Sequence, residues 1–197
     1  VKLSANSGIR GIVFDYPEQQ HLAKQNETVQ EYPYAMQGLG ENIYIVNVSM
    51  RNAYNGLDLM TYRCDNHYVL YMAGFCLNNV IKVGSGATGG VISNMQFNSG
   101  ALLTGAESKW GSWPNSPTGS AVDTVNNNLI NKYVQENLTF MQIGHVEEQI
   151  IYNNFTYLGH RGVQFIAQDG KAANGWFVGN AVDFTTVGFE IQAIGDM

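Results

Sequence analysis

One short pattern recurs along this chain at a nearly constant spacing. An Asn followed by an apolar residue sits inside a short alternating stretch in Ile45-Val-Asn47-Val-Ser-Met50, Ile92-Ser-Asn94-Met-Gln-Phe97, Tyr152-Asn-Asn154-Phe-Thr-Tyr157 and Val178-Gly-Asn180-Ala-Val-Asp183. Asn47 and Asn94 lie 47 residues apart, two periods of about 23.5, while Asn128, Asn154 and Asn180 lie 26 apart. Between Asn47 and Asn94 the matching position is Met72, a single break. Fixed-period self-similarity marks a chain built from stacked units, each of which buries its apolar side only against the next.

A second strand follows each Asn. These are Gly56-Leu-Asp-Leu59, Val80-Ile-Lys-Val83, Asn137-Leu-Thr-Phe140, Gly162-Val-Gln-Phe165 and Gly188-Phe-Glu-Ile191. Apolar and polar residues alternate in them, the period of a half-buried strand. Two or three short strands per unit predict an all-β fold: a single-stranded right-handed parallel β-helix (a solenoid) with about 23–26 residues per coil. A sandwich has strands every 8–12 residues without the longer recurrence, and a propeller blade needs about 40 residues. A leucine-rich repeat needs a Leu consensus that is absent here. The recurrent Asn has a reason, since an amide both donates and accepts and can bond its counterpart in the next coil.

Composition agrees. Only 13% of the 197 residues are charged, against roughly 25% in an average soluble protein. Gly (22) and Asn (21) take their place, residues of turns rather than helices. The net charge is −6 and the cations are scattered, so no phosphate-binding stripe exists and nucleic acid is not expected as a partner. No apolar run reaches the length of a membrane span.

The whole chain, 1–197, reads as one domain with two excursions, near 17–33 and 104–125. Both are expected to be loops flanking the same face. Neither terminal coil has a capping helix, and the chain starts at Val1 without Met. It therefore reads as a processed secreted product or a piece of a longer chain, with adjacent segments or domains capping the ends. Cys64 and Cys76 match no zinc or redox spacing; they are buried thiols or one bridge. Of four N-x-S/T sequons, Asn26 is expected on the surface, whereas the register puts Asn47 and Asn154 inside.

The period, the Asn ladder and the strand pattern, over roughly residues 8–194, resemble the pectate-lyase-like superfamily of right-handed parallel β-helices. Within it, Ala53-Tyr-Asn-Gly-Leu-Asp58 looks like the first motif of the polygalacturonases. Asn78-Asn-Val-Ile-Lys-Val83 looks like the second with both Asp replaced by Asn, and Ser99-Gly100 stands where that family has His-Gly. An amide cannot exchange the proton that glycoside hydrolysis asks of a carboxyl. The resemblance implies a secreted or cell-surface, carbohydrate-active protein with a cleft along one sheet, and it excludes polygalacturonase chemistry at those positions.

The coil register nominates the site residues. The outward column of the second strand reads Asp58, Lys82, Leu102, Thr139, Gln164, Glu190. Asp58 and Lys82 are a surface ion pair or a catalytic carboxylate held by its Lys. The preceding columns bring Glu136 beside Arg161, with His160 adjacent, as a cross-coil salt bridge or a substrate grip. On another side stand Asp65 with Asn66 and His67, and His145 with Glu147 and Glu148, either solvated turns or a carboxyl pair of split pKa. Trp110 and Trp113 fall in a Gly/Pro-punctuated loop and could stack on sugar rings or pin the loop. No metal motif is present, although the acids could hold Ca²⁺ through oxygen. The expectation is a glycoside hydrolase on an extended oligo- or polysaccharide. Its acids come from Asp58, Asp65, Glu136, Glu147 and Glu148, and its binders are Lys82, His160, Arg161 and the two Trp. The alternatives are a non-catalytic glycan-binding adhesin or tailspike-like module, and a structural fragment of a larger β-helix enzyme.

Overall fold

A computed structural model describes residues 1–16, 19, 29–98 and 132–196. They are mostly β-strand, and the class is all-β. The strands are β1 (Lys2–Leu3), β2 (Gly8–Arg10), β3 (Val13–Asp15), β4 (Tyr34–Gly38), β5 (Tyr44–Leu59), β6 (Tyr68–Val83), β7 (Ala87–Thr88), β8 (Val91–Ser93) and β9 (Gln96–Asn98). After them come β10 (Thr139–Ile143), β11 (Val146–Glu147), β12 (Gln149–Tyr152), β13 (Phe155–Phe165), β14 (Gly175–Val178) and β15 (Ala181–Ile191). Thirteen of them join one sheet whose main path is β1-β4-β5-β6-β10-β13-β15. The named strands pair parallel throughout, and a lone antiparallel bridge joins Gln168 to Lys171.

Each pass of the chain lies in register on the one before. Asp58 pairs with Lys82, Lys82 with Gln142, Gln142 with Gln164, and Gln164 with Glu190. Alternation then aims two columns inward, Leu57–Ile81–Met141–Val163 and Leu59–Val83–Ile143–Phe165, and every member is buried. Both columns continue into β15, but there the residues surface: Phe189 is 46% exposed and Ile191 58%.

Three register expectations need correction. The outward column contains Gln142 where Leu102 and then Thr139 were expected. β9 and β10 both lie against β6 and β13, so they belong to one pass, not two. Leu102 and the whole 104–125 excursion fall outside the described residues, as do 17, 18 and 20–28 of the first. Secondly, Thr139, not Glu136, is in register with Arg161. Residues 132–137 form a short helix, so Glu136 is helical and the strand that pairs with Arg161 starts only at Thr139.

Thirdly, the Asn ladder is two adjacent columns. Asn154 and Asn180 are stacked as expected: Asn154 Nδ2 donates to Asn180 Oδ1 at 2.8 Å, and the Met95 N–H donates to Asn154 Oδ1 at 2.9 Å. Asn154 is buried, but Asn47 is exposed and Asn94 half-buried. These two belong one residue earlier, beside Asn153, whose Nδ2 donates to Asn94 Oδ1 at 2.6 Å. The Asn153–Asn154 pair bridges both columns, which is why a one-residue offset escapes the spacing.

The expectation of one bridge or two thiols resolves to two free, buried thiols, Cys64 and Cys76. Burial pushes the Cys64 thiol up to about 11 and raises Cys76 further. Among the described residues, no helix is long and apolar enough to cross a membrane.

Candidate functional site

The exposed Asn column turns a corner. In register stand Gly11, Asn47, Tyr71, Asn94, Asn153 and Gly179, each following a paired strand residue. All six have left-handed backbone, with φ between 53° and 69°. Gly accepts that conformation freely, and Asn tolerates it better than most residues. Tyr71 does not, and a bulky side chain there costs about 1–2 kcal/mol. So the break in the Asn repeat is Tyr71, not Met72, and it is strained. Tyr71 is 56% exposed. Residues held against their own preference concentrate at functional positions.

Beside this corner runs a groove of about 480 Å³. One wall is the corner itself, with Asn47, Tyr71, Asn94 and Asn153. The other is the next outward column, Ser49, Ala73, Gln96 and Phe155, which stand in register on β5, β6, β9 and β13. Met95 closes the bend between them. Small side chains at Ser49 and Ala73 leave the space open next to Tyr71. The lining offers amides, a hydroxyl, a phenol and an aromatic ring. Among the described residues its lining contains no carboxylate, ammonium, guanidinium or imidazole. Such a groove can form hydrogen bonds in both directions and stack on an apolar ring face, but it has no acid or base to move a proton at neutral pH.

The residues nominated from sequence lie elsewhere and are engaged. Asp58 is 2% exposed. It accepts from Gln37 Nε2 (2.9 Å), Met60 N (2.9 Å), Thr61 N (2.9 Å) and Thr61 Oγ1 (2.6 Å). Lys82 Nζ stands 3.3 Å from its Oδ2 and 4.7 Å from the centre of the Tyr34 ring. Burial alone would raise the Asp58 pKa, but these donors outweigh it and hold the carboxyl below its usual range. Asp65 accepts both contacts of Arg63 Nε at 2.9 Å and the Thr88 N–H at 2.9 Å, and is likewise held low against the effect of burial.

Glu136 sits on the short helix, its carboxylate 4.0 Å from Lys132, and both are exposed. Arg161 instead bonds Glu190, which also accepts from Gln192. His160 Nδ1 lies 2.9 Å from the Gln135 carbonyl oxygen. Glu147 is 3.1 Å from His145 Nε2, and Glu148 is an exposed left-handed turn residue. The structure therefore brings Asp58 to Lys82 but does not join the acids into a facing pair. Trp110 and Trp113 lie outside the described residues. Among the described residues no three His, Cys, Asp or Glu side chains converge to hold a metal ion.

Sequence reasoning passed over Tyr71 because it looked for chemistry on strand faces. The available signal was the repeat itself: counted one residue earlier, Tyr71 is the bulky substitution in an Asn/Gly column. Compared with protein-family models, curated proteins and solved structures, the chain matches none.

Proposed function

We propose that this chain is a right-handed parallel β-helix of the pectate-lyase-like kind that binds a neutral, extended glycan in the corner groove and does not cleave it. The in-register parallel passes support the fold reading, with 24 residues between Asp58 and Lys82, 22 between Gln142 and Gln164, and 26 between Gln164 and Glu190. The observation that carries the functional reading is Tyr71. A strained, exposed aromatic residue stands among amides and a hydroxyl, in a groove that follows the stacking direction and whose described lining holds no carboxylate, ammonium, guanidinium or imidazole. A sugar presents hydroxyls to the amides and an apolar ring face to the phenol. Hydrolysis needs two carboxyls flanking the bond, and the five candidate acids are outside the groove lining. Binding to an external glycan also suits a secreted or cell-surface protein.

The test is a glycan array spanning neutral and uronate-rich oligosaccharides, with product analysis of every glycan retained. Retention of neutral chains without shortened products supports the reading. Loss of retention on filling the groove with Ala73→Trp, while the thermal midpoint holds, locates the site. Release of shorter products from any retained glycan, or no neutral glycan retained at all, sinks it.

A further inference from the structure

The four passes that line the corner groove differ in a regular way. On β5 the walls are Asn47 and Ser49, and where β8 turns into β9 they are Asn94 and Gln96, so both of these passes present a polar pair. β6 presents Tyr71 across from Ala73, and the turn from β12 into β13 presents Asn153 across from Phe155. Polar pair and aromatic ring therefore alternate from pass to pass. The two rings stand on opposite walls, Tyr71 on the corner and Phe155 on the neighbouring outward column.

The strand register fixes their separation. Ser49 pairs with Ala73, Ala73 with Gln96 and Gln96 with Phe155. Tyr71 and Phe155 thus lie two passes apart, about 10 Å along the groove at the usual strand spacing. Because the columns stay in register, the groove runs straight over these passes. A ligand that engages both rings at once has to be straight, apolar on two opposite faces and polar along its edges. Pyranose chains joined through equatorial 1,4-bonds have that form: an extended, flat ribbon with C–H groups on both faces and hydroxyls along both edges. Each unit advances such a ribbon by roughly one strand spacing. A unit lying on Tyr71 therefore sets the next but one on Phe155, and the unit between them meets the amides of Asn94 and Gln96, which both donate and accept. Chains with an axial bond at the same place coil, and cannot follow a straight groove past both rings.

We infer that the groove selects neutral glycans with equatorial 1,4-linkages, gripped between Tyr71 on one face of the ribbon and Phe155 on the other. The inference rests on the neutral-glycan reading of the groove and narrows it to one class of linkage, with Phe155 as the second determinant.

The test is titration calorimetry on the 197-residue chain with four neutral hexaoses: the β-1,4-linked cellohexaose and mannohexaose, the α-1,4-linked maltohexaose and the β-1,3-linked laminarihexaose. The better of the two ribbon hexaoses should bind at least roughly tenfold tighter than either of the others, the worth of one added ring contact. In that ribbon series, affinity should step up between the disaccharide, too short to reach both rings, and the tetrasaccharide. Phe155→Leu keeps the apolar bulk without the flat ring and should remove most of the step with unchanged circular dichroism. Phe155→Tyr keeps the ring and should retain the step. Maltohexaose or laminarihexaose bound as tightly as the better ribbon overturns the linkage assignment and leaves the neutral-glycan reading standing. A full step in Phe155→Leu overturns the two-ring grip. Failure of all four hexaoses to bind sinks both the inference and the reading beneath it.

Discussion

The Asp58 carboxylate and the Lys82 ammonium face each other across neighbouring parallel strands at 3.3 Å, and the carboxylate is already saturated by four further hydrogen bonds. It works as a fastener between passes. Asp58→Asn replaces one accepting oxygen with a donor that faces Lys82, Gln37 or Thr61. The expected loss is about 2–4 kcal/mol, read by urea unfolding, with glycan retention intact in the folded protein. Because the folded-state pKa is lowered, the contribution is fully present above the ordinary carboxyl value of 3.8 and fades as pH falls through the folded value. Equal acid sensitivity in Asp58→Asn and the parent would contradict this role.

Tyr71→Asn should make the protein more stable and less useful. It returns the corner to the residue found at Asn47, Asn94 and Asn153 and relieves about 1 kcal/mol of backbone strain. It also removes the ring from the groove. The thermal midpoint is expected to rise while neutral-glycan retention disappears. A variant that both binds as before and melts higher would show the ring to be idle.

His67 is completely buried, and its Nδ1 lies 2.7 Å from the Cys64 carbonyl oxygen. Burial lowers its pKa below the ordinary 6.5. The folded state therefore resists a proton that the unfolded state accepts. Stability is complete above pH 6.5 and declines as pH drops below it, by up to about 1.4 kcal/mol for each unit traversed before the folded value is reached. His67→Gln should flatten the thermal-midpoint profile between pH 6.5 and 5. An unchanged slope would assign the effect to other groups.

Gly90 gives an independent check of that packing. A Cβ there would lie 2.1 Å from His67 Cε1 and 2.6 Å from Gln149 Oε1. Gly90→Ala should cost about 1–3 kcal/mol through overpacking, measured by denaturant midpoint. His67→Ala in the same chain should recover part of it.

Both thiols are buried and raised in pKa, so they should resist alkylation at pH 8 in the native protein. Two equivalents of reagent should react after unfolding in urea without reductant. Any lower number means that a bridge is present.

Strand spacing was legible because alternation and period survive small errors of counting. Asp58 beside Lys82 followed directly from it. The errors came where the backbone leaves the extended state. A helix of under two turns over residues 132–137 holds Glu136 out of the sheet and away from Arg161, and no periodicity signals so short an element. At the corners, Asn47 and Asn154 look equivalent by composition but occupy neighbouring columns, one left-handed and exposed, the other buried and bonded. The groove is walled by the corner column and the Ser49–Ala73–Gln96–Phe155 column, so it was invisible to reasoning that searched strand faces for ionisable groups. Phe189 and Ile191 read as core because they occupy core positions; exposure at the last pass depends on what is stacked above them.

Under the proposed glycan-binding reading, the corner column is a ruler for polymer length. Each pass contributes one left-handed corner and one outward strand position, so duplicating a pass would extend the groove by one strand spacing, about 4.8 Å, without new chemistry. Selection on the length of polymer gripped could then act by copying or deleting whole passes. Selection on which polymer is gripped would act separately, on the few corner side chains that, like Tyr71, depart from Asn.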